Sequence, residues 1–150
     1  MATEIGQPED LAIAGLFHDI GVYGSRDDIS IFDLDILSAD EQEQYKQHPR
    51  RSLNLLKEKR VTVTQTIADI IEKHHERSNG SGFPAQLLAN RIPHEAHLLA
   101  YADAFAYLTK SRPGKPVLQP ADAHKLIAER LALYGSLNKD RKIFRISRIS

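Results

Sequence analysis

Residues 62–84 read TVTQTIADIIEKHHERSNGSGFP, and this stretch decides which fold the sequence predicts. Its apolar residues repeat every three or four positions, as on one face of a helix, at Val63, Ile67, Ile70 and Ile71. His74 and His75 follow at the end of that face, and the glycine-rich segment 79–84 then breaks the helix. The stretch therefore predicts a helix over residues 62–76 whose last turn carries histidines toward an apolar interior.

Helical spacing recurs along most of the chain, and no strand signal is longer than a few residues. It predicts further helices over residues 8–19, 38–47, 49–60, 94–110 and 121–134. Ser38 and Glu41 have the spacing of a capping box, and Pro49 suits the first turn of a helix. We therefore predict an all-α bundle of five or six helices, built as a single domain over residues 1–150.

The composition narrows the functional classes. Lysine and arginine together number 20, as do aspartate and glutamate, so no net field attracts nucleic acid or an acidic membrane. The chain has no cysteine, which excludes disulfides, thiolate catalysis and cysteine-rich zinc sites and fits a cytoplasmic protein. The sequence begins without a signal-peptide pattern, and no apolar stretch approaches the roughly 18 residues of a membrane span. We expect a cytoplasmic protein with no membrane attachment.

Ionisable residues interrupt the apolar faces of several predicted helices, at His18, Asp19, His48, His74, His75 and Asp103. A buried carboxylate costs several kcal/mol unless a positive group compensates it. Imidazole and carboxylate together are ligands that suit first-row transition metals. Taken singly, each histidine could be structural, and Asp103 could pair with an arginine or a helix terminus. Their occurrence together on apolar faces of one small domain favours a metal site.

The motifs around these residues resemble those of the HD superfamily and its HD-GYP branch. LFHDIG at residues 16–21 is similar to the LLHDIG signature, and HHERSNGSGFP at residues 74–84 is similar to HHERxDGSGYP. Three further segments follow in the family's order: QHP at 47–49, LAYADAFAYLT at 99–109 and SRPGKP at 111–116. The resemblance covers residues 11–133, which leaves a basic tail at residues 138–150.

This resemblance implies a metal-dependent phosphohydrolase that cleaves a phosphodiester, cyclic di-GMP by analogy with the branch. It carries over His18, Asp19, His48, His74, His75 and Asp103 as ligands of two divalent ions, which could be Fe, Mn, Ni or Zn. His18 and Asp19 would form the reaction centre, with Asp19 bridging the ions and an activated hydroxide attacking phosphorus. Arg112 and Lys115 match the family's phosphate-contacting cations. Gly82, Phe83 and Pro84 form the GYP-like loop.

Several positions depart from the family pattern. Val22 stands where the family has lysine, and the 17 residues before His18 are too few for the family's upstream ligand helix. Asn79 replaces aspartate, and Phe83 replaces tyrosine with loss of only the hydroxyl. Losing the lysine and the upstream ligand predicts fewer ions or slow turnover. The alternative is therefore a non-catalytic module for cyclic-dinucleotide sensing, dimerisation or a signalling partner; an HD phosphohydrolase of another nucleotide is disfavoured by the GYP-like loop.

The remaining histidines and the basic tail offer little further evidence of function. We expect His94 at a helix start, His97 on a helix flank and His124 on an outer face, with no functional role. The tail could bind nucleic acid or a partner, but its interleaved apolar residues favour packing against the bundle.

Overall fold

The computed structural model describes residues 7–22 and 30–131 of the chain. Its α-helices are α1 (Pro8–Phe17), α2 (Ala39–Lys46), α3 (His48–Glu58), α4 (Gln65–Lys73), α5 (His94–Thr109) and α6 (Pro120–Arg130). Short 3₁₀ segments lie at Ile20–Val22, Ile31–Ile36 and Ala89–Arg91. Within these described ranges no strand forms, and the predicted all-α bundle is confirmed.

Helix boundaries follow local capping chemistry. At α2, the side chains of Ser38 and Glu41 accept each other's backbone N–H groups, which confirms the predicted capping box. The helix predicted over 62–76 is shorter than expected, because the Thr64 side chain caps α4 by accepting the N–H of Ile67 at 3.2 Å. Residues 132–134 of the last predicted helix and the basic tail lie outside the described residues.

The first helix is also shorter than the spacing predicts. It ends at Phe17, so His18 is its C-cap, and the chain tightens into the 3₁₀ segment Ile20–Val22. Gly21 in that segment lies directly against the start of α3. An added Cβ there would lie 2.5 Å from the backbone nitrogen of Ser52 and closer still to the carbonyl oxygen of His48. Only glycine permits this approach of the two backbones.

Two apolar clusters form the core, and α5 contributes to both. One joins α1, α3, α4 and α5 through Ala14, Leu56, Ile67, Ile70, Ile71 and Leu99. The other joins α5 to α6 through Ala100, Ala104, Leu108, Ala123 and Ile127, with Leu131 just after α6. Burial of an isoleucine side chain such as Ile70, which is 0% exposed, contributes about 1.5–3 kcal/mol. This packing fixes α5 and therefore the position of Asp103 beside α1.

No helix among the described residues is both long enough and apolar enough to cross a membrane.

Candidate metal centre

The ends of α1, α3 and α4 and the middle of α5 converge on one cluster of side chains. It contains two groups of possible ligands: Asp19, His48, His74 and His75 in one, and His18, Asp19 and Asp103 in the other. Within each group the ligand atoms lie within 4.8 Å of one another. The two groups share Asp19, and together they comprise the six residues that the sequence predicts as ligands.

Three of the histidines are oriented by the turn of chain that precedes them. The Nδ1 atom contacts the carbonyl oxygen three residues earlier in each case: 2.8 Å for His18 and Gly15, 2.6 Å for His48 and Tyr45, and 2.7 Å for His74 and Ile71. A carbonyl oxygen only accepts hydrogen bonds, so Nδ1 must carry the proton. Nε2 is then the ring nitrogen that faces the cluster, which is the arrangement of metal-binding histidines whose other nitrogen is hydrogen-bonded.

The carboxylate of Asp19 faces these Nε2 atoms with both oxygens. Its Oδ1 lies 3.2 Å from Nε2 of His48, and its Oδ2 lies 3.3 Å from Nε2 of His18. On the far side, Oδ1 of Asp103 lies 3.5 Å from the same nitrogen of His18. A carboxylate whose two oxygens face different ligand groups has the geometry of a bridging ligand.

Buried nitrogen atoms in the cluster lack hydrogen-bond partners, and this tests whether the residues fit a metal. The atoms are Nε2 of His18, His48 and His74 and both ring nitrogens of His75. Each unpaired buried polar atom costs about 1–3 kcal/mol, so several together call for a group that satisfies them. A divalent transition metal accepts mixed nitrogen and oxygen ligands of this kind. The donor set therefore fits divalent metal ions.

Burial keeps two of the ligand histidines neutral. It lowers the pKa of His74 and His75 well below the usual value, and the positive charge of neighbouring histidines lowers both further. Burial alone would raise the pKa of Asp19, but the close imidazoles of His18 and His48 outweigh burial and hold that pKa below its usual range. Neutral imidazoles around an ionised carboxylate are the protonation states that bind a metal.

His18 behaves differently because it lies between two carboxylates. Burial lowers its pKa, but the adjacent carboxylates of Asp103 and Asp19 outweigh burial and raise that pKa to about 10. A metal ion at this histidine must displace the proton, so binding there releases a proton to solvent.

The GYP-like loop packs behind His75. The buried carboxylate of Glu76 accepts the N–H groups of Ala85 at 2.6 Å and of Leu87 at 2.8 Å, which anchors the far end of the loop. The ring of Phe83 stacks on the His75 imidazole, with 4.7 Å between centroids and 25° between planes. The loop therefore packs directly on the imidazole of His75.

Gly82 lets this loop lie directly on the end of α4. An added Cβ would lie 2.5 Å from the carbonyl oxygen of His75 and closer still to backbone atoms of Glu76 and Arg77. The glycine of the predicted GYP-like motif is therefore required by the close approach of two backbones.

Arg112 and Lys115 lie just beyond α5, where they contact Tyr107 and Asp33. The Arg112 guanidinium lies over the Tyr107 ring, 3.1 Å from its centroid, and donates to the Tyr107 carbonyl oxygen at 3.0 Å. The Lys115 ammonium lies 2.8 Å from Oδ1 of Asp33, whose other oxygen accepts the Tyr107 hydroxyl. Tyr107 follows Asp103 by four residues on α5, so Arg112 contacts the helix that carries Asp103 one turn beyond it.

Sequence reasoning gave no role to several residues that shape the site. Ser52 and Glu76 organise backbone around the ligands, and Asp33 holds Lys115. Glu76 lies inside the motif HHERSNGSGFP at residues 74–84, so the sequence did contain a signal that could have identified it. The partners of Asp33 lie 74 and 82 residues away along the chain, so no local pattern identifies that residue.

The expectation that His97 lies on a helix flank is wrong. His97 is 1% exposed, because α5 packs against α4 on one side and α6 on the other and therefore buries a wide arc. Burial, followed by the nearby charges of Arg77 and His94, lowers the pKa of His97 to about 4. His94 begins α5, as expected. His124 is half-buried, with Nδ1 2.9 Å from the Tyr101 hydroxyl, so it is not on a fully outer face.

Comparison with known proteins identifies similar chains. The family model described as "HD domain" matches residues 2–135. The chain is 34% identical over 119 residues to the cyclic di-GMP phosphodiesterase response regulator RpfG of Xanthomonas campestris, covering 77% of this chain and 31% of that protein. It is 33% identical over 141 residues to a cyclic di-GMP phosphodiesterase of Thermotoga maritima, covering 91% of this chain and 37% of that protein.

A solved structure gives the same result for the fold. An HDG"Y"P protein from Bdellovibrio bacteriovorus superposes with a TM-score of 0.62 at 27% identity, covering 87% of this chain and 42% of that chain. The chain spans about a third of the length of the two curated relatives described above.

Proposed function

Because the chain belongs to the HD domain family, we propose that it is a metal-dependent phosphodiesterase that hydrolyses a cyclic dinucleotide, with cyclic di-GMP as the substrate. The observation that carries this proposal is the position of Asp19, which belongs to both ligand groups of the cluster. Relatives named as cyclic di-GMP phosphodiesterases support the choice of substrate.

Two divalent ions would be held by the two ligand groups, with Asp19 common to both. Two divalent ions in one site would activate water as a nucleophile and neutralise the charge that develops on the phosphoryl oxygens. The protein residues keep the site ready for this chemistry. His74 and His75 stay neutral, Asp19 stays ionised, and the Nδ1–carbonyl bonds fix the direction of three imidazoles. Hydrolysis of one phosphodiester adds water across a P–O bond and opens the ring.

Arg112 and Lys115 would bind the phosphate under attack. Arg112 lies over Tyr107, one helical turn beyond Asp103 on α5, and Asp33 holds Lys115. An arginine fork can bind two phosphate oxygens at once, and each charge-assisted hydrogen bond is worth roughly 1.5–3 kcal/mol. Substitution of either cation by alanine should therefore weaken cyclic di-GMP binding about tenfold or more, while metal content stays constant.

Metal analysis and turnover measured on one preparation test the proposed function. Protein purified without chelator should contain a transition metal and should hydrolyse cyclic di-GMP, with ring opening followed by chromatography. His74→Ala should lose both metal and activity, whereas His124→Ala, outside the cluster, should keep both. Protein with full metal content but no turnover of cyclic dinucleotides would instead favour the non-catalytic sensing module. Absence of metal would refute the two-ion site.

A further inference from the structure

A second feature of the molecule is a cleft of about 330 Å³ beside the metal centre. Its walls come from the 3₁₀ segment Ile31–Ile36, α2, the GYP-like loop and the end of α6. His75 also lines it, so this cleft shares one residue with the proposed metal site. None of the substrate contacts proposed above uses the cleft.

Cations dominate the cleft. Arg77, Lys46 and Arg130 line it, against the single carboxylate of Asp35. Arg77 is 5% exposed, and its hydrogen bonds go to the carbonyl oxygens of His74 at 3.3 Å and Glu76 at 2.9 Å.

These cations have no anionic partner in the described part of the chain. No carboxylate there lies within ion-pair distance of Arg77, Lys46 or Arg130. Arginine remains protonated in proteins, so among the residues that the structure describes Arg77 is a buried charge with no carboxylate at ion-pair distance. An anion in the cleft would provide that counter-ion, and the two flanking cations would strengthen its binding.

Aromatic rings form two of the walls. Phe83, which stacks on His75, lines the cleft, and so does Phe32, which stacks on Tyr107 at 6.0 Å between centroids. Flat rings beside clustered cations suit a nucleotide, because bases stack on aromatic side chains while the backbone phosphate binds positive charge. Inorganic phosphate alone would use the cations and leave the rings unused.

We propose that this cleft binds a nucleoside phosphate unit, with Arg77, Lys46 and Arg130 on the phosphate and Phe32 and Phe83 beside the base. The unit is the nucleotide of the cyclic dinucleotide that is not under attack at the metal centre. The shared position of His75 supports this assignment, since it joins the cleft to the ligand cluster. The claim that this unit is half of the substrate rests on the proposed phosphodiesterase function. The claim that the cleft binds a nucleoside phosphate is independent of that function.

Calorimetry with guanosine 5′-monophosphate on the metal-loaded protein tests the cleft directly. A double variant, Lys46→Ala with Arg130→Ala, should weaken this binding at least tenfold. The matched control, Lys57→Ala with Lys125→Ala, removes two lysines that do not line the cleft and should bind as the parent does. Lys46 is half-buried and Arg130 is exposed, so the test does not depend on replacing the buried Arg77. Equal affinity in the parent and the Lys46/Arg130 variant would overturn the proposal.

Turnover assays test whether the bound unit is half of the substrate. In the Lys46/Arg130 variant, kcat/KM should fall at least tenfold more for cyclic di-GMP than for bis(p-nitrophenyl) phosphate, which has no second nucleotide. Guanosine 5′-monophosphate should compete with cyclic di-GMP in the parent; inhibition or activation without competition would show an effector site and overturn the substrate assignment. A parent that hydrolyses neither compound, but whose nucleotide binding depends on Lys46 and Arg130, would refute the phosphodiesterase function alone.

Discussion

The Ser52 hydroxyl donates a hydrogen bond to the carbonyl oxygen of His18 at 2.6 Å and so ties α3 to the backbone of a proposed metal ligand. The Ser52 hydroxyl oxygen in turn accepts the N–H of Gly21 at 2.9 Å. One buried side chain therefore satisfies two backbone groups that flank Asp19. This contact explains why α3 approaches the chain so closely after α1, and it makes the glycine at position 21 a requirement of packing.

A pair of glycine substitutions tests that packing. Gly21→Ala should destabilise the fold or displace α3, because the new Cβ would overlap backbone atoms of His48 and Ser52. Gly15→Ala is the matched control, since its Cβ would meet only the Leu99 side chain at 3.8 Å and it lies within α1. That change should be neutral or stabilise by about 0.5–1 kcal/mol. Urea unfolding measures both, and equal stabilities for the two variants would contradict the steric argument.

Glu76→Gln should loosen the GYP-like loop. The carboxylate accepts two backbone N–H groups, from Ala85 and Leu87, whereas an amide has only one oxygen to offer. One buried N–H loses its partner at a cost of about 1–3 kcal/mol. Hydrogen exchange at the two amides should accelerate, and metal affinity should fall because the loop packs on His75. Glu58→Gln, on an exposed position of α3, provides the control; unchanged exchange in Glu76→Gln would show that the loop is held by other contacts.

Val22→Lys should increase turnover if the family's lysine position serves this site. Val22 closes the turn after the ligand pair, with its N–H donating to the Asp19 carbonyl oxygen at 2.9 Å. A charge-assisted hydrogen bond from lysine is worth roughly 1.5–3 kcal/mol, which corresponds to about 10- to 100-fold in rate. Val22→Met adds comparable length without charge and should give no gain. Thermal melts and metal analysis must accompany the assay, and a folded, metal-loaded lysine variant with parental turnover would disprove the prediction.

His97 should make the fold sensitive to acid. Its pKa is about 4 in the folded protein, against an ordinary value of 6.5, because it is buried. Between these values the unfolded chain binds more protons, so stability increases with pH. The contribution is complete above about pH 6.5 and is lost as the pH falls toward 4. His97→Leu should therefore show a smaller fall in melting temperature over this interval than the parent. Metal ligands titrate in both proteins, so the difference between them isolates His97; parallel pH profiles would contradict the assignment.

The sequence predicted the elements of the site better than the contacts between them. The helices follow from apolar spacing, and the capping box at Ser38 follows from a local pattern, so both could be predicted from the sequence. The six ligands also came from motifs, and the structure brings them together. The contact between Ser52 and His18 spans 34 residues, and that between Lys115 and Asp33 spans 82. Such pairs depend on how helices pack, which periodicity alone does not specify.

Three of the candidate ligand histidines donate hydrogen bonds to carbonyl oxygens of the preceding turn. The orientation of each imidazole and the position of that imidazole in the cluster therefore have separate causes. In each case a segment of four residues, from the carbonyl oxygen to the histidine, fixes the direction of the imidazole. Packing of the helices then brings these three segments together at the candidate metal centre. A change in packing should therefore move each of these imidazoles together with its turn of chain and alter the distances between the candidate ligands, without changing which ring nitrogen faces the cluster. We therefore expect relatives with this fold to differ in metal preference through the distances between their helices, while the histidines and their tautomers stay the same.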